Sequence, residues 1–190
     1  MRRRPERWPL LVCALVLPSV GTGAARQNDD KAMRAFGRDI AAYAALHERL
    51  ERTLPPLVPT EHAHVIETAR LALAAAIRAE RVDAAQGDIF TPAVARLFRE
   101  RIRRALRGTD VAELLGELYE EFPEEARLTP QVNAPFPRGA TYEMPPRVLH
   151  ALPPLPGDLE YRLVGLHLVL WDTHANVVVD YVPHAIPDET

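Results

Sequence analysis

The sequence predicts an α+β protein with an N-terminal array of four helices, a proline-rich connector and a C-terminal three-stranded antiparallel β-meander. Apolar residues recur at steps of three and four through most of residues 26–126, which is typical of amphipathic helices. Prolines are concentrated in residues 127–158, and β-branched and apolar residues dominate residues 159–182. We expect residues 26–190 to form one folded unit with a hydrophobic core.

Residues 1–25 have the layout of a secretory signal peptide. A basic head is followed by an apolar run from Trp8 to Val20, which is too short for a permanent membrane-spanning helix, and by a small-residue exit. We predict cleavage near Ala25, so the mature protein is expected to be soluble in the periplasm or secreted. Membrane contact is expected only through the signal segment before cleavage. The alternative is an uncleaved N-terminal anchor.

The composition of the predicted mature chain excludes several classes of chemistry. It has no cysteine and no serine, because Cys13 and Ser19 both lie in the signal segment. Disulfides, thiolate metal sites and cysteine or serine nucleophiles are therefore excluded from it. Removal of residues 1–25 leaves 19 basic and 25 acidic residues, and such an acidic chain is not expected to bind nucleic acid.

The first predicted helix begins at Asp29-Asp30, whose charges favour a helix N-terminus, and ends before Pro55. Its apolar stripe consists of residues three or four apart, namely Met33, Phe36, Ile40, Tyr43, Leu46 and Leu50. A second helix is predicted from Thr60, as the candidate N-cap, to about Val82.

The third predicted helix starts at Thr91-Pro92, a capping hydroxyl followed by proline at the first helical position, and ends before Gly108. The fourth runs from Asp110 to about Phe122. The third helix has an arginine-rich side and the fourth is acidic, so we expect the two charge sets to balance each other. Binding of the basic helix to an anionic membrane surface is the alternative.

The connector, residues 127–158, is expected to contain neither long helices nor central strands because of its prolines. Pro145-Pro146 is expected to start one short helical turn that carries Val148. Residues 152–156, with the sequence LPPLP, are predicted to be extended. We interpret the connector as a rigid strap on the domain's own surface, and the alternative is a ligand for an aromatic groove of another protein.

The meander, residues 159–190, is predicted to contain strands at 161–164, 167–172 and 177–182. Gly165 suits the first central position of a type II′ hairpin turn, which requires a positive φ. In the second loop, Asn176 is the residue that best tolerates the left-handed conformation.

Strict alternation along these strands predicts two faces of different polarity. The more apolar face is expected to carry Leu168, Leu170, Val177, Val179 and Tyr181. The other is expected to carry His167, Val169, Trp171, Val178, Asp180 and Val182. Such a meander must bury its apolar face against the upstream helices.

The end of the chain resembles that of a group of uncharacterised exported bacterial proteins, in which a proline strap leads to an "EYR-VG" strand, an "LVL-D" strand and an "AN-VVD" strand. The matching residues are Leu155, Pro156, Leu159, Glu160, Tyr161, Arg162, Val164, Gly165, Leu168, Val169, Leu170, Asp172, Ala175, Asn176, Val177, Val179, Asp180 and Pro183. The resemblance implies export and a C-terminal meander, and it implies no activity.

A looser similarity links the same meander to small periplasmic proteins of the nickel and cobalt homeostasis type. Those proteins have a polar pair after the glycine of the first turn, whereas this sequence has Leu166-His167. This difference predicts that the first turn is less exposed here than in those proteins.

Histidine offers the remaining candidate chemistry, and all seven histidines lie in the predicted mature chain. The meander concentrates potential metal ligands, from which His167, His174 and Asp180 are the candidate metal site. In the predicted register, His167 and Asp180 are diagonal neighbours on one face. Alternatively, Asp180 and Asp172 are structural, fixing a loop and pairing with Arg162.

No catalytic residues and no resident cofactor are assigned, since no nucleophile motif, phosphate-binding glycine loop or HExxH pattern is present. The leading hypothesis is therefore a non-enzymatic periplasmic interaction or accessory protein, with another envelope protein as its partner. The second hypothesis is a protein that binds a divalent transition metal through histidine and carboxylate. The third is an enzyme that uses histidine and aspartate.

Overall fold

A computed structural model describes residues 21–118, 120, 128–137 and 144–186. Its five helices precede a three-stranded antiparallel sheet of order β1-β2-β3. This arrangement confirms the predicted α+β class. The elements are α1 (Gly21–Glu51), α2 (Ala63–Glu80), α3 (Pro92–Ala105), α4 (Val111–Leu118), α5 (Pro146–Leu149), β1 (Leu159–Val164), β2 (His167–Asp172) and β3 (Val177–Val182).

Helix α1 begins at Gly21, upstream of the predicted start at Asp29. The residues between Gly21 and Asp29 contain no proline and include Ala24 and Ala25, which favour helix. No proline therefore prevents the helix from beginning before Asp29. Most of the predicted signal segment, residues 1–20, lies outside the described residues. Four members of the predicted apolar stripe of α1 are buried, namely Phe36, Ile40, Tyr43 and Leu50.

The start of α2 differs from the prediction. The N-cap is His62 rather than Thr60, and the Thr60 hydroxyl oxygen instead accepts a hydrogen bond from the His62 N–H at 3.1 Å. A threonine hydroxyl can bond the backbone two residues on in a turn, which delays the helix. The predicted start of α3 is confirmed in position, with Thr91 as N-cap and Pro92 at the first helical position, but the Thr91 side chain makes no capping hydrogen bond.

The helices bury their apolar sides against one face of the sheet. A cluster of aromatic rings lies where α1, α3 and the sheet meet. Phe36 and Phe98 have ring centroids 5.0 Å apart, Phe90 and Phe98 5.2 Å, and Phe98 and Tyr161 6.0 Å. Such tilted and edge-on pairs stabilise a core beyond their buried area.

Both turns of the meander contain the positive φ that was predicted for them. Gly165 has a φ of 55° between β1 and β2, and Asn176 has a φ of 52° between β2 and β3. The β1–β2 register runs without a shift from the Leu159–Asp172 pair to the Val164–His167 pair.

The predicted faces of β3 are wrong beyond Val179. A β-bulge shifts the register, because Leu170 pairs with Asp180 whereas Trp171 pairs with Val178. Asp180 consequently lies on the helix-facing side with Leu170, and Tyr181 lies on the opposite side with Val169. Strict alternation could not anticipate the extra residue.

The described parts of the connector pack on the domain itself. Asn133 donates its backbone N–H to the Val178 oxygen, and Pro135 forms a bridge with Val177, so this segment extends the sheet beyond β3. Phe136 stacks on Trp171 with ring centroids 4.7 Å apart and covers the outer face. Pro145 precedes the short helix α5, as predicted.

Within the described ranges, no helix combines the length and the apolar character that a membrane crossing requires.

Candidate metal centre

The candidate site is centred on His47, which lies on the buried face of α1. His47 follows Tyr43 by four residues and precedes Leu50 by three, so it continues the apolar stripe of the helix. Only 6% of its surface is exposed. Its Nδ1 lies 2.6 Å from Oδ2 of Asp172, the last residue of β2.

The Asp172 carboxylate is completely buried and is held by three residues, two on α1 and one in the loop between β2 and β3. The Tyr43 hydroxyl donates a hydrogen bond to Oδ2 at 2.8 Å. The Ala175 backbone N–H donates to Oδ1 at 2.8 Å, which fixes the loop between β2 and β3. Because an ionised carboxylate only accepts hydrogen bonds, His47 must donate its Nδ1–H to Asp172. The neutral His47 ring therefore directs the lone pair of Nε2 away from Asp172.

His47 Nε2 is buried, and no described residue provides it with a hydrogen-bond partner. Two carboxylates lie just beyond bonding distance, with Glu51 Oε2 at 4.0 Å and Asp158 Oδ2 at 3.9 Å. A buried polar atom without a partner is costly and usually has an unseen one. Its position among carboxylates indicates that a cation would fit beside it.

His174 approaches the same point from the loop between β2 and β3. Its Nδ1 lies 3.5 Å from Glu51 Oε1, and its ring centroid lies 5.6 Å from that of His47. One ligand atom from each of His47, Glu51 and His174 can be chosen so that all three lie within 4.8 Å of one another. Ligand atoms around a tetrahedral Zn²⁺ are about 3.3 Å apart, given metal–ligand distances of ~2.0–2.1 Å. A small side-chain movement would therefore bring the three atoms to bonding distance.

The surrounding charges favour a cation at this site. The hydrogen bond to Asp172 raises the pKa of His47 above its usual value, and the charges of Asp172, Asp158 and Glu51 act in the same direction, while burial opposes them. Burial and the Asp172 carboxylate also raise the pKa of Tyr43, so its hydroxyl remains a hydrogen-bond donor. A proton and a metal ion would compete for His47 Nε2.

A cleft of about 1350 Å³ opens beside the site. Glu51 and His174 line this cleft and are also two of the three candidate metal ligands. The described residues that form the rest of its lining come from the loop after α1 and from α2 as far as Leu73. They are mostly apolar and include Leu54, Pro55, Leu57, Val58, Val65, Ala69 and Leu73.

The three residues of the predicted metal site do not come together. His174 belongs to the cluster just described. His167 lies elsewhere, where its Nδ1 accepts a hydrogen bond from the His184 N–H at 3.3 Å. Burial, with a smaller contribution from His184, lowers the pKa of His167.

Asp180 occupies a third position, and the predicted diagonal contact between His167 and Asp180 is wrong because of the β-bulge. The Asp180 carboxylate accepts backbone N–H groups of the α2–α3 loop, from Gly87 at 2.9 Å, Ile89 at 2.8 Å and Phe90 at 2.7 Å. These bonds tie the loop to β3 and give Asp180 the structural role considered as the alternative.

The sequence interpretation missed His47 and Glu51. The signal was present in the pattern His-x-x-x-Glu, because residues four apart lie on the same side of a helix. A histidine at a position of the buried stripe was a second signal. Asp172, considered only as a structural residue, orients the histidine instead of pairing with Arg162, which makes an ion pair with Glu160.

No protein-family model, no curated protein and no solved structure matches the chain.

Proposed function

We propose that this chain is an exported accessory protein that binds one divalent transition-metal ion through His47 Nε2, Glu51 and His174. The observation that carries the proposal is the buried, unpartnered Nε2 of His47 beside the ligand atoms of the other two residues. Export is proposed from the layout of residues 1–25, and a partner in the cell envelope is proposed with it.

The hydrogen bond between His47 and Asp172 supports the assignment of His47 as a metal ligand. Histidines that bind metals usually donate their other ring N–H to a carboxylate or carbonyl, which fixes the tautomer and orients the ring. The Tyr43 hydroxyl and the Ala175 N–H hold that carboxylate in turn. The orienting groups are thus in place independently of any ion.

The chemistry of the ligands limits the choice of metal. Two imidazoles and one carboxylate suit Zn²⁺, Ni²⁺, Co²⁺ or Cu²⁺ better than Ca²⁺ or Mg²⁺, which prefer oxygen ligands. Only Cys13 could supply a thiolate, and it lies in the predicted signal segment. We therefore propose a nitrogen- and oxygen-ligated ion of the zinc, nickel or cobalt type.

Native mass spectrometry of the untagged chain 26–190 with added Zn²⁺ tests this proposal. We expect one bound ion per chain, lost in His47→Gln and in His174→Gln. The matched control is His150→Gln, which removes an exposed histidine of the connector and should leave the bound ion in place.

Binding that persists in both His47→Gln and His174→Gln, or a metal-free chain under these conditions, would contradict the proposed site. Loss of binding in His167→Gln with retention in His47→Gln would instead move the site to the His167–His184 pair.

A further inference from the structure

The residues that line the cleft beside the metal centre indicate which class of ligand the cleft would bind. Its described lining is largely aliphatic, and several of its side chains are large and exposed, including Leu57 at 43%, Val58 at 71% and Val65 at 37%. Exposed aliphatic residues that face a concave surface favour an apolar ligand. The body of the ligand is therefore expected to be hydrocarbon.

Charge in the cleft is confined to one end. Among the described residues that line it, only Glu51 and Arg52 are permanently charged. When Glu51 binds the metal ion, its negative charge is paired with that ion. The charges that a ligand in the cleft could contact are then those of the ion and of the Arg52 guanidinium. Among the described residues, the Arg52 guanidinium has one weak ion pair, 3.7 Å from Glu48, and both side chains are exposed. This end of the cleft therefore favours an anion.

The metal centre also has room for a further ligand. Three protein ligands leave at least one coordination position of a tetrahedral ion for water or another small ligand. Asp158 is near His47 but does not belong to the group of three, and its side chain is 55% exposed. Since Glu51 and His174 face both the centre and the cleft, the open position is accessible from the cleft.

We propose that the cleft binds a small amphipathic carboxylate. The carboxylate completes the coordination of the metal ion next to Arg52, and the hydrocarbon chain lies along Leu57, Val65 and Ala69. This inference depends on the proposed metal site, and it adds the class of ligand that the site serves.

The test uses the chain 26–190 loaded with Co²⁺, whose visible spectrum reports changes in coordination, and octanoate as the probe. We expect octanoate to change the spectrum and to bind at least about tenfold more tightly to the loaded than to the metal-free protein. Acetate keeps the carboxylate without the chain, and 1-octanol keeps the chain without the carboxylate. Acetate should bind at least about 100-fold more weakly than octanoate, and 1-octanol should leave the spectrum unchanged.

Two matched variants of α2 separate the cleft from the metal. Ala69 is half-buried in the lining, so Ala69→Trp should fill the cleft, weaken octanoate binding at least about tenfold and retain Co²⁺. Ala75 is exposed and lies outside the lining, so Ala75→Trp should bind both normally.

Each contrary result has its own meaning. If Co²⁺ binds but octanoate leaves its spectrum unchanged, or acetate binds as tightly as octanoate, the ligand proposal is overturned and the metal site stands. If Ala69→Trp binds octanoate normally, the chain does not lie in this cleft and the proposal is again overturned. If no Co²⁺ binds to the unmutated protein, the proposed function fails and this inference fails with it.

Discussion

His47 on α1 and Asp172 at the end of β2 are joined by a 2.6 Å hydrogen bond, although 125 residues separate them in the chain. The bond connects the helical part of the protein to its C-terminal sheet inside the core. It also fixes the tautomer that leaves His47 Nε2 free to bind a metal ion. One contact therefore serves both the fold and the candidate site.

Replacement of Asp172 by asparagine should weaken metal binding by about 10–100-fold, because the residue that orients a metal-binding histidine contributes about that much to affinity. Isothermal titration with Zn²⁺ measures the change. Asp83→Asn is the control, since Asp83 is exposed in the loop after α2. An Asp172→Asn protein that is folded and binds Zn²⁺ normally would show that Asp172 does not act through His47.

Tyr43→Phe should lower the free energy of unfolding by about 1.5–3 kcal/mol, the usual value of a hydrogen bond to a charged group. The ring remains packed and only the hydroxyl that donates to Asp172 is lost. Urea unfolding of the metal-free protein measures this difference. Tyr181→Phe, on the other face of the sheet, should change stability much less; equal effects would argue against a special role for the Tyr43 hydroxyl.

Asp180→Ala should be strongly destabilising, because three backbone N–H groups of the α2–α3 loop would lose their acceptor. An unsatisfied buried donor costs about 1–3 kcal/mol, so the total is comparable to the stability of a small domain. Asp180→Asn retains one acceptor oxygen and should fold with reduced stability. It should also bind Zn²⁺ normally, and a selective loss of Zn²⁺ would restore Asp180 as a ligand.

The sequence was sufficient to predict the order of the helices and strands, although not the starts of α1 and α2, because each element carries a local pattern. The turns at Gly165 and Asn176 follow from the conformational freedom of those residue types, and Pro92 marks the start of α3. The β-bulge next to Val179 has no such local signature, since three consecutive valines are compatible with either assignment of side chains to the two faces of the sheet. One extra residue there moved Asp180 to the opposite face.

Only part of the candidate site could be predicted. His174 was selected because it lies close in sequence to other potential ligands, but its partners His47 and Glu51 come from α1. The packing of α1 against the end of β2 is a tertiary contact, which no local spacing specifies. The predicted group of His167, His174 and Asp180 therefore divides among three parts of the structure.

Acidification should destabilise the metal-free protein through His167. Its pKa is lowered in the folded state, so between that value and about 6.5 the unfolded chain binds a proton that the folded chain does not. This contribution to stability is present above about pH 6.5 and is lost as the pH falls through the folded pKa. Urea unfolding over a range of pH should show a smaller acid loss in His167→Gln than in the unmutated protein.

His47 should have the opposite pH dependence, because its pKa is raised in the folded state. Its contribution is present below about pH 6.5 and is lost as the pH rises through the folded pKa. The stability difference between the unmutated protein and His47→Gln should therefore shrink as the pH rises. A difference that grows with pH would contradict the assigned direction.

The location of the bound metal is the most direct test of the proposed site. Crystals of the zinc-loaded chain 26–190, measured on both sides of the zinc absorption edge, would show the ion by its anomalous scattering. We expect one peak about 2.0–2.1 Å from His47 Nε2 and from a ring nitrogen of His174, with a Glu51 oxygen as the third ligand. A peak at His167 and His184, or a zinc-loaded crystal with no peak at His47, would contradict the account.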